Sequence, residues 1–416
     1  MSFITDIFAS KIEGMNILQL TNKIPYPPKD GGAIATLNIS LGLQSHGHDI
    51  TILGMNTSKH YSDLNKLPDH INKNIDIREV KTDTHINFID AFNNLLFSRL
   101  PYTGTRFFTK DYARKLANLL NEKNFDVVQL EGLYMCYYIP VIKKHSKALV
   151  AFRAHNLEHE IWERVAQQDA SFLRKIYLKN LSSRIKRFKK QILNIYDLLI
   201  PITQRDALTF EQIGNIRPTC VIPAGLDMEN FKNYSGDIVF PNPFFIGTLD
   251  WFPNQEGLVW FVENVWDKII GQHKEIEFHV AGRNAPQWLR KMLKAKPGII
   301  FHGEVDDAAE FMGKNAIMIA PLFSGSGMRV KVIEGMAMGK AILTTTIGAE
   351  GIPVENGKNI FIEDEPHDFA AKLNHLIENK KLFDDIGKNA VKFVAENFDN
   401  GKISSKLAGF YQSHLR

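Results

Sequence analysis

Along most of this chain, short apolar runs alternate with longer stretches in which apolar side chains recur every three or four positions. The short runs read as strands buried on both faces, and the longer stretches read as amphipathic helices. Asn16–Leu20, Asp49–Leu53, Ile75–Val80, Val127–Gln129, Ala148–Phe152 and Leu198–Ile202 form a first strand series, with a helix over Ala33–Gln44 after the first. A polar stretch, Asn233–Asp237, followed closely by Pro241 and Pro243, reads as a linker. The series then restarts with Phe244–Ile246, Ile276–Ala281, Ile299–Phe301, Ala316–Ala320, Ala341–Thr345 and Ile360–Ile362, and Phe383–Leu415 reads as helix. Strands alternating with helices predict an α/β fold with a parallel sheet covered on both faces. Two such series predict two Rossmann-like domains facing each other across a cleft, with ligands at the carboxyl ends of the strands.

Composition narrows the class. A length of 416 residues suits two domains. The hydrophobic fraction of 44% and charged fraction of 23% are those of a globular protein. A net charge of +4 is too mild to argue for a nucleic-acid partner. Two cysteines, Cys136 and Cys220, make neither a disulfide framework nor a metal cluster, as expected for a reducing cytosol. No apolar run approaches the roughly 18 residues that span a bilayer. Asp6 interrupts the early apolar residues and no cleavage-type segment follows, so a cytoplasmic location is expected. Met15 opens a strong strand, so residues 1–14 read as an N-terminal extension, either an upstream start or an extra short helix.

The richest stretch for chemistry is Pro321–Gly351. A glycine-rich turn (Ser324, Gly325, Ser326, Gly327) leads into a helix predicted over Met328–Met338, stopped by Gly339. Such a turn aims bare N–H groups and a positive dipole end at whatever lies above it, which suits a phosphate. Arg329 and Lys331 add cationic donors, and Glu334 offers a carboxylate to a pair of ribose hydroxyls. Together these residues ask for a nucleotide diphosphate, although a plain loop-to-helix junction with surface cations is the simpler account of the turn taken alone.

Other candidates lie at predicted strand ends. Gly31 and Gly32 let the backbone approach a ligand, with Asp30 beside them to orient the loop or meet an acceptor. His155 follows a strand in RAHNLEHE, on the ligand side of the sheet; the competing account is a structural histidine capping the next helix. Glu131 ends another strand, and Arg153 is placed either to pair with it or to meet an acidic acceptor. His155, Glu158 and His159 lack the spacing of a zinc helix, and there is no Asp-x-Asp triad, so no metal is expected.

Four segments carry a family resemblance: Ile24–Leu53, Val221–Phe231, Phe245–Gly257, and the stretch from Pro321 through IGAEGI, Ile347–Ile352. Over residues 15 to about 400 the chain resembles a GT-B-fold glycosyltransferase of family 4, the retaining group-1 transferases. The resemblance implies two Rossmann-like domains, 15–235 for the acceptor and 236–395 for the nucleotide sugar, with a C-terminal helix (396–416) packing back on the first. It implies transfer of a hexose-type sugar from a UDP- or GDP-linked donor, without a cofactor, to a saccharide or lipid-linked acceptor in envelope polysaccharide assembly. His155 would contact the sugar, Arg329 and Lys331 the diphosphate, and Glu334 the ribose. Gly31, Gly32, Gly247, Gly282, Arg283, His302, Ser326, Gly327 and Met328 would line the donor, and Asp30, Glu131 and Arg153 the acceptor. Two departures stand out. Ser326 occupies the place of the first of the family's two glutamates, and Gly247–Gly257 lacks the family's Arg and Lys, so the cationic clamp is expected on Arg329 and Lys331. The rival readings are a sugar-nucleotide 2-epimerase of the same fold and a non-catalytic sugar-nucleotide-binding protein.

From Ser171 to Tyr196 there is no acidic residue, while eight lysines and arginines surround an apolar stripe (Leu178, Leu181, Ile185, Phe188, Ile192, Ile195). This reads either as a packed helix with a solvated basic face or as a face for an anionic membrane, with Phe88–Tyr102 as a second apolar element.

Overall fold

The computed structural model describes residues 14–415 except 86, 88–92, 95–96, 99, 169–170, 233–237 and 326. Residues 1–13, the Asn233–Asp237 linker, Ser326 and most of Phe88–Tyr102 therefore lie outside the described residues. The chain divides into two compact units, one of residues 1–159, 180–225 and 400–416, the other of residues 160–179 and 226–399.

The first unit is built on a parallel sheet in the order β3-β2-β1-β4-β5-β6. Its strands are β1 (Asn16–Thr21), β2 (Asp49–Thr57), β3 (Ile75–Thr82), β4 (Val127–Glu131), β5 (Leu149–Ala154) and β6 (Leu198–Pro201). Every residue of β4 and all but the first of β1 are buried, including Gln19, Gln129 and Glu131, so these strands show no in–out alternation. The helix Gly31–Ser45 and the C-terminal helix Asn400–Gln412 pack together on this sheet. Gly42 permits their contact, since a Cβ there would lie 2.6 Å from Ser404 Oγ. Leu37, Leu43, Leu407 and Tyr411 join Ile17 and Val127 in one core, and Tyr411 donates to Gln129 Oε1 at 2.5 Å.

The second unit repeats the plan in the order β12-β11-β10-β7-β8-β9, again all parallel. Its strands are β7 (Val239–Ile246), β8 (Phe278–Ala281), β9 (Ile299–Gly303), β10 (Asn315–Ala320), β11 (Ala341–Thr344) and β12 (Phe361–Ile362). Phe245, Phe261, Trp266, Ile317, Leu343 and Phe369 form its core. Pro241 and Pro243 fall inside β7 rather than ahead of it, and the β7–β10 ladder shifts register between Asn315 and Ile317 alongside them.

Two expectations need correction. The single helix over Phe383–Leu415 is two, Lys380–Asn397 and Asn400–Gln412. Between them Asp399 forms a parallel bridge with Leu226, whose N–H donates to Phe398 O at 2.8 Å, so backbone groups that would extend the first helix are used across chain segments. The helix predicted over Met328–Met338 runs from Val330 to Ala337, with Arg329 at its N-cap. The positive φ of Gly327 and Gly339 brackets it.

Candidate functional site

In each sheet the strand order reverses once, between β1 and β4 and between β7 and β10. Each reversal leaves a crevice at the carboxyl ends of the strands, because the connections on its two sides run to opposite faces.

The first crevice holds a cavity of about 270 Å3 lined by Lys23, Asp30, Gly32, Glu131, Tyr134, His155, Asn156 and Glu158 among others. It is smaller than the ~300–1,000 Å3 of drug-sized pockets and unusually polar, which suits a hydroxyl-rich ligand. Asp30 is the N-cap of the helix Gly31–Ser45, accepting from Ala33 N at 3.0 Å. Lys23 clamps both its oxygens, at 2.6 and 2.5 Å. Burial alone would raise the Asp30 carboxyl, but Lys23 and the Ala33 N–H outweigh it and the group titrates below its ordinary range.

Glu131 closes the floor. Its carboxylate accepts from Thr36 Oγ1 at 3.0 Å, Arg153 Nη1 at 3.1 Å, His155 Nε2 at 2.5 Å and Gln129 Nε2. Burial works to raise its pKa, yet Arg153 and His155 pull it down to about 2, so it is ionised throughout the physiological range. Arg153 is completely buried and does not line the cavity. It pairs with Glu131, the first of its two expected roles. His155 is different: its ring lines the cavity and is oriented by Glu131. His159 turns away, with Nδ1 3.4 Å from Lys189 Nζ, and burial with the nearby Lys189 lowers it to about 3. Among the described residues no cluster fit to hold a metal occurs.

The second crevice is framed by backbone. A Cβ on Gly282 would lie 2.2 Å from Gly247 O, and Gly282 N donates to Gly303 O at 2.7 Å. Three glycines at the ends of β7, β8 and β9 thus form a shelf bare of side chains. Lys331 reaches it from the helix Val330–Ala337: a methyl on Gly247 would sit 3.2 Å from Lys331 Nζ. Nζ is held by Asn254 Oδ1 at 3.0 Å and Ile246 O at 3.3 Å, above the Phe245 ring. Burial, then the charge of Arg329, lower Lys331 to about 7. Arg329 itself is buried, with its guanidinium packed on Gly325. One turn beyond Lys331, Glu334 is pushed up to about 7 by burial, and no described residue hydrogen-bonds its carboxyl. A cation held next to open backbone and a carboxylate short of donors are both relieved by one ligand, an anion carrying hydroxyls.

Met328 and Gly327 lie at the mouth of this helix; Ser326 is outside the described residues. Arg283 contributes its carbonyl to Leu249 N at 2.9 Å. His302 turns its ring onto His279, with Nε2 2.9 Å from His279 Nδ1.

Sequence reasoning passed over several residues that build these sites. Lys23, which fixes Asp30, lies just ahead of the singled-out Ile24–Leu53 segment, and Asn254, which fixes Lys331, lies inside Phe245–Gly257 on the helix Phe252–Phe261. Glu256 accepts from Ser324 Oγ at 2.9 Å and so ties the glycine-rich turn to the helix Phe252–Phe261. Arg164 forms a bidentate pair with Glu350, at 2.6 and 2.8 Å, and also donates to Gly325 O. Its partners are so distant in sequence that no local pattern announces them.

Residues 241–379 match the family described as Glycosyl transferases group 1. The chain is 26% identical over 401 residues to an uncharacterized 44.6 kDa protein in the cps region of Klebsiella pneumoniae, covering 94% of this chain and 98% of that one. A stretch of 113 residues is 33% identical to the uncharacterized glycosyltransferase MJ1069 of Methanocaldococcus jannaschii, covering 26% of this chain and 29% of that protein. Among solved structures, Anabaena Alr3699/HepE in complex with UDP and glucose superposes with a TM-score of 0.68 at 15% identity, over 96% of this chain and all of that one. Sucrose-phosphate synthase from Thermosynechococcus elongatus superposes with a TM-score of 0.71 at 14% identity, over 96% and 98%. The fold is GT-B. The match to the group-1 glycosyl transferase model, in a chain of that fold, supports a glycosyltransferase.

Proposed function

We propose that this chain is a retaining glycosyltransferase that moves a hexose-type sugar from a UDP- or GDP-linked donor to a saccharide or lipid-linked acceptor during surface-polysaccharide synthesis. The observation that carries the reading is the second crevice, where Lys331 is held against the glycine shelf and Glu334 stands one turn away. The diphosphate lies on the shelf, with Lys331 and Arg329 stabilising the charge that grows on it as the glycosidic bond breaks. Glu334 takes the ribose hydroxyls. The acceptor occupies the polar cavity of the first unit, where His155, oriented by ionised Glu131, meets a hydroxyl. In this reading the sugar is attacked from the face that the diphosphate leaves, and the departing diphosphate takes the acceptor's proton.

Support comes from the family match over β7 to the helix Pro366–Glu378 and from a relative in a cps region. Solved proteins of the same fold hold UDP or UDP-glucose. The test is to incubate the purified chain with a panel of labelled nucleotide sugars and candidate glycan acceptors, with Glu334→Gln alongside. Transfer by the wild type and its loss in the variant support the assignment. Free isomerised sugar and nucleotide formed without any acceptor would make it an epimerase. Nucleotide-sugar binding without turnover across donors and acceptors would make it a binding protein.

A further inference from the structure

Among the described residues, the helix Phe172–Ile192 buries one face and leaves most of the opposite one exposed. Leu178, Leu181, Ile185, Phe188 and Ile192 are buried, so this part of the stripe is spent on the protein interior, whereas Ile195 lies past the helix end and is exposed. The opposite face is where the structure departs from a solvated basic helix. Its first turns carry Phe172, Leu173, Ile176 and Tyr177, which are between 43% and 79% exposed. At 100° per residue these four fall within one arc of about 140°. Further along, the same arc continues through Asn180 and Ser183 to Arg187 and Lys190, with Lys179 and Lys186 on its flank, all exposed. The face is aromatic and aliphatic at one end, where it is poorly matched to water, and cationic at the other, without a carboxylate from Ser171 to Tyr196.

We infer that this face is a docking surface for an anionic lipid bilayer. Phe172, Leu173, Ile176 and Tyr177 enter the interface, and the lysines and arginines of the following turns lie at the level of the acidic headgroups. Charge complementarity selects this occupant over an ordinary protein partner: the surface offers cations but no anion to pair with a mixed-charge surface. Among the described residues no helix is long and apolar enough to cross a membrane, so this surface lies on the bilayer rather than spanning it. Neither crevice is involved, and the inference stands apart from the reading of the donor site.

The test is co-sedimentation of the full chain with vesicles of phosphatidylcholine alone or mixed with phosphatidylglycerol, at low and high salt. The wild type is expected to pellet with the mixed vesicles at low salt and to be released by salt. A variant with Phe172→Ser, Leu173→Ser and Ile176→Ser, and a second with Lys179→Glu, Lys186→Glu and Arg187→Glu, should each weaken partitioning by roughly tenfold or more. Both sets alter exposed positions, and an unchanged melting temperature verifies folding. Failure of the wild type to pellet at low salt overturns the inference, as does pelleting of the serine variant at the wild-type level. Self-association that the serine substitutions abolish, with no lipid binding by the wild type, would assign the face to a second copy of the chain instead.

Discussion

Replacing Lys331 with Met tests the donor site because it removes a charge while keeping an apolar chain over Phe245. In the unliganded protein Lys331 titrates near 7 rather than 10.5, since burial and Arg329 both oppose its charge. A diphosphate on the shelf reverses that balance and raises the group again. At pH 8 about nine tenths of Lys331 is neutral before binding, so the wild type takes up close to one proton with the ligand. Affinity should then fall about tenfold per pH unit above 7. Loss of one charge-assisted hydrogen bond is worth about 1.5–3 kcal/mol, so Lys331→Met should weaken binding by about 10- to 150-fold near pH 7. The assay is titration calorimetry with a nucleotide-diphosphate sugar, whose diphosphate does not itself titrate in this range, in buffers of different ionisation enthalpy. Proton uptake should vanish in the variant.

Stability should move the other way. Between pH 7 and 10.5 the native state binds fewer protons at Lys331 than the unfolded chain, so this group makes stability rise with pH there. Glu334, at about 7 instead of 4.5, makes stability fall as pH climbs from 4.5 to 7. The two contributions are together least favourable near neutrality, and Lys331→Met should stabilise the unliganded protein at pH 7 by on the order of 1–4 kcal/mol. A variant that binds nucleotide sugar with wild-type affinity and proton uptake would refute the assignment of Lys331. One that melts lower than wild type without ligand would refute the account of its buried charge.

Two further outcomes follow from the packing. Glu131→Gln strands the buried Arg153 without a counter-charge and should cost about 3–5 kcal/mol, read as a lower melting temperature. Because Glu131 titrates at about 2 when folded and 4.5 otherwise, its stabilisation is present above 4.5 and lost as pH falls towards 2, a limb the variant should lack. Gly257→Ala would place Cβ 1.8 Å from Pro321 O and should both destabilise the fold and displace the turn that follows β10. Gly271→Ala, where nothing lies within 4 Å, is the matched control and should gain up to about 1 kcal/mol by melting temperature, as expected for a helical glycine.

The strand series, the two-sheet plan and the glycine-rich turn were legible from the chain alone, because burial on both faces leaves unbroken apolar runs and turns demand glycine. β10, buried along its whole length and apolar from Ala316 to Ala320, shows this most plainly. Local pattern also placed Glu131 and His155 at strand ends, Lys331 near the start of a helix and Glu334 further along it. It did not reveal what those side chains meet. That Arg153 would sink behind Glu131, that Asn254 would hold Lys331 beside Gly247, and that Arg164 would brace Gly325 while paired with Glu350 are contacts between residues remote in sequence. The packed stripe was one of two readings of the Phe172–Ile192 region, but pattern did not reveal that four other apolar side chains of that helix would stay outside. Periodicity registers that a face is apolar. Which face is covered, and which charge is buried beside which, is set by long-range packing, and so only the tertiary structure decided the electrostatics of both crevices.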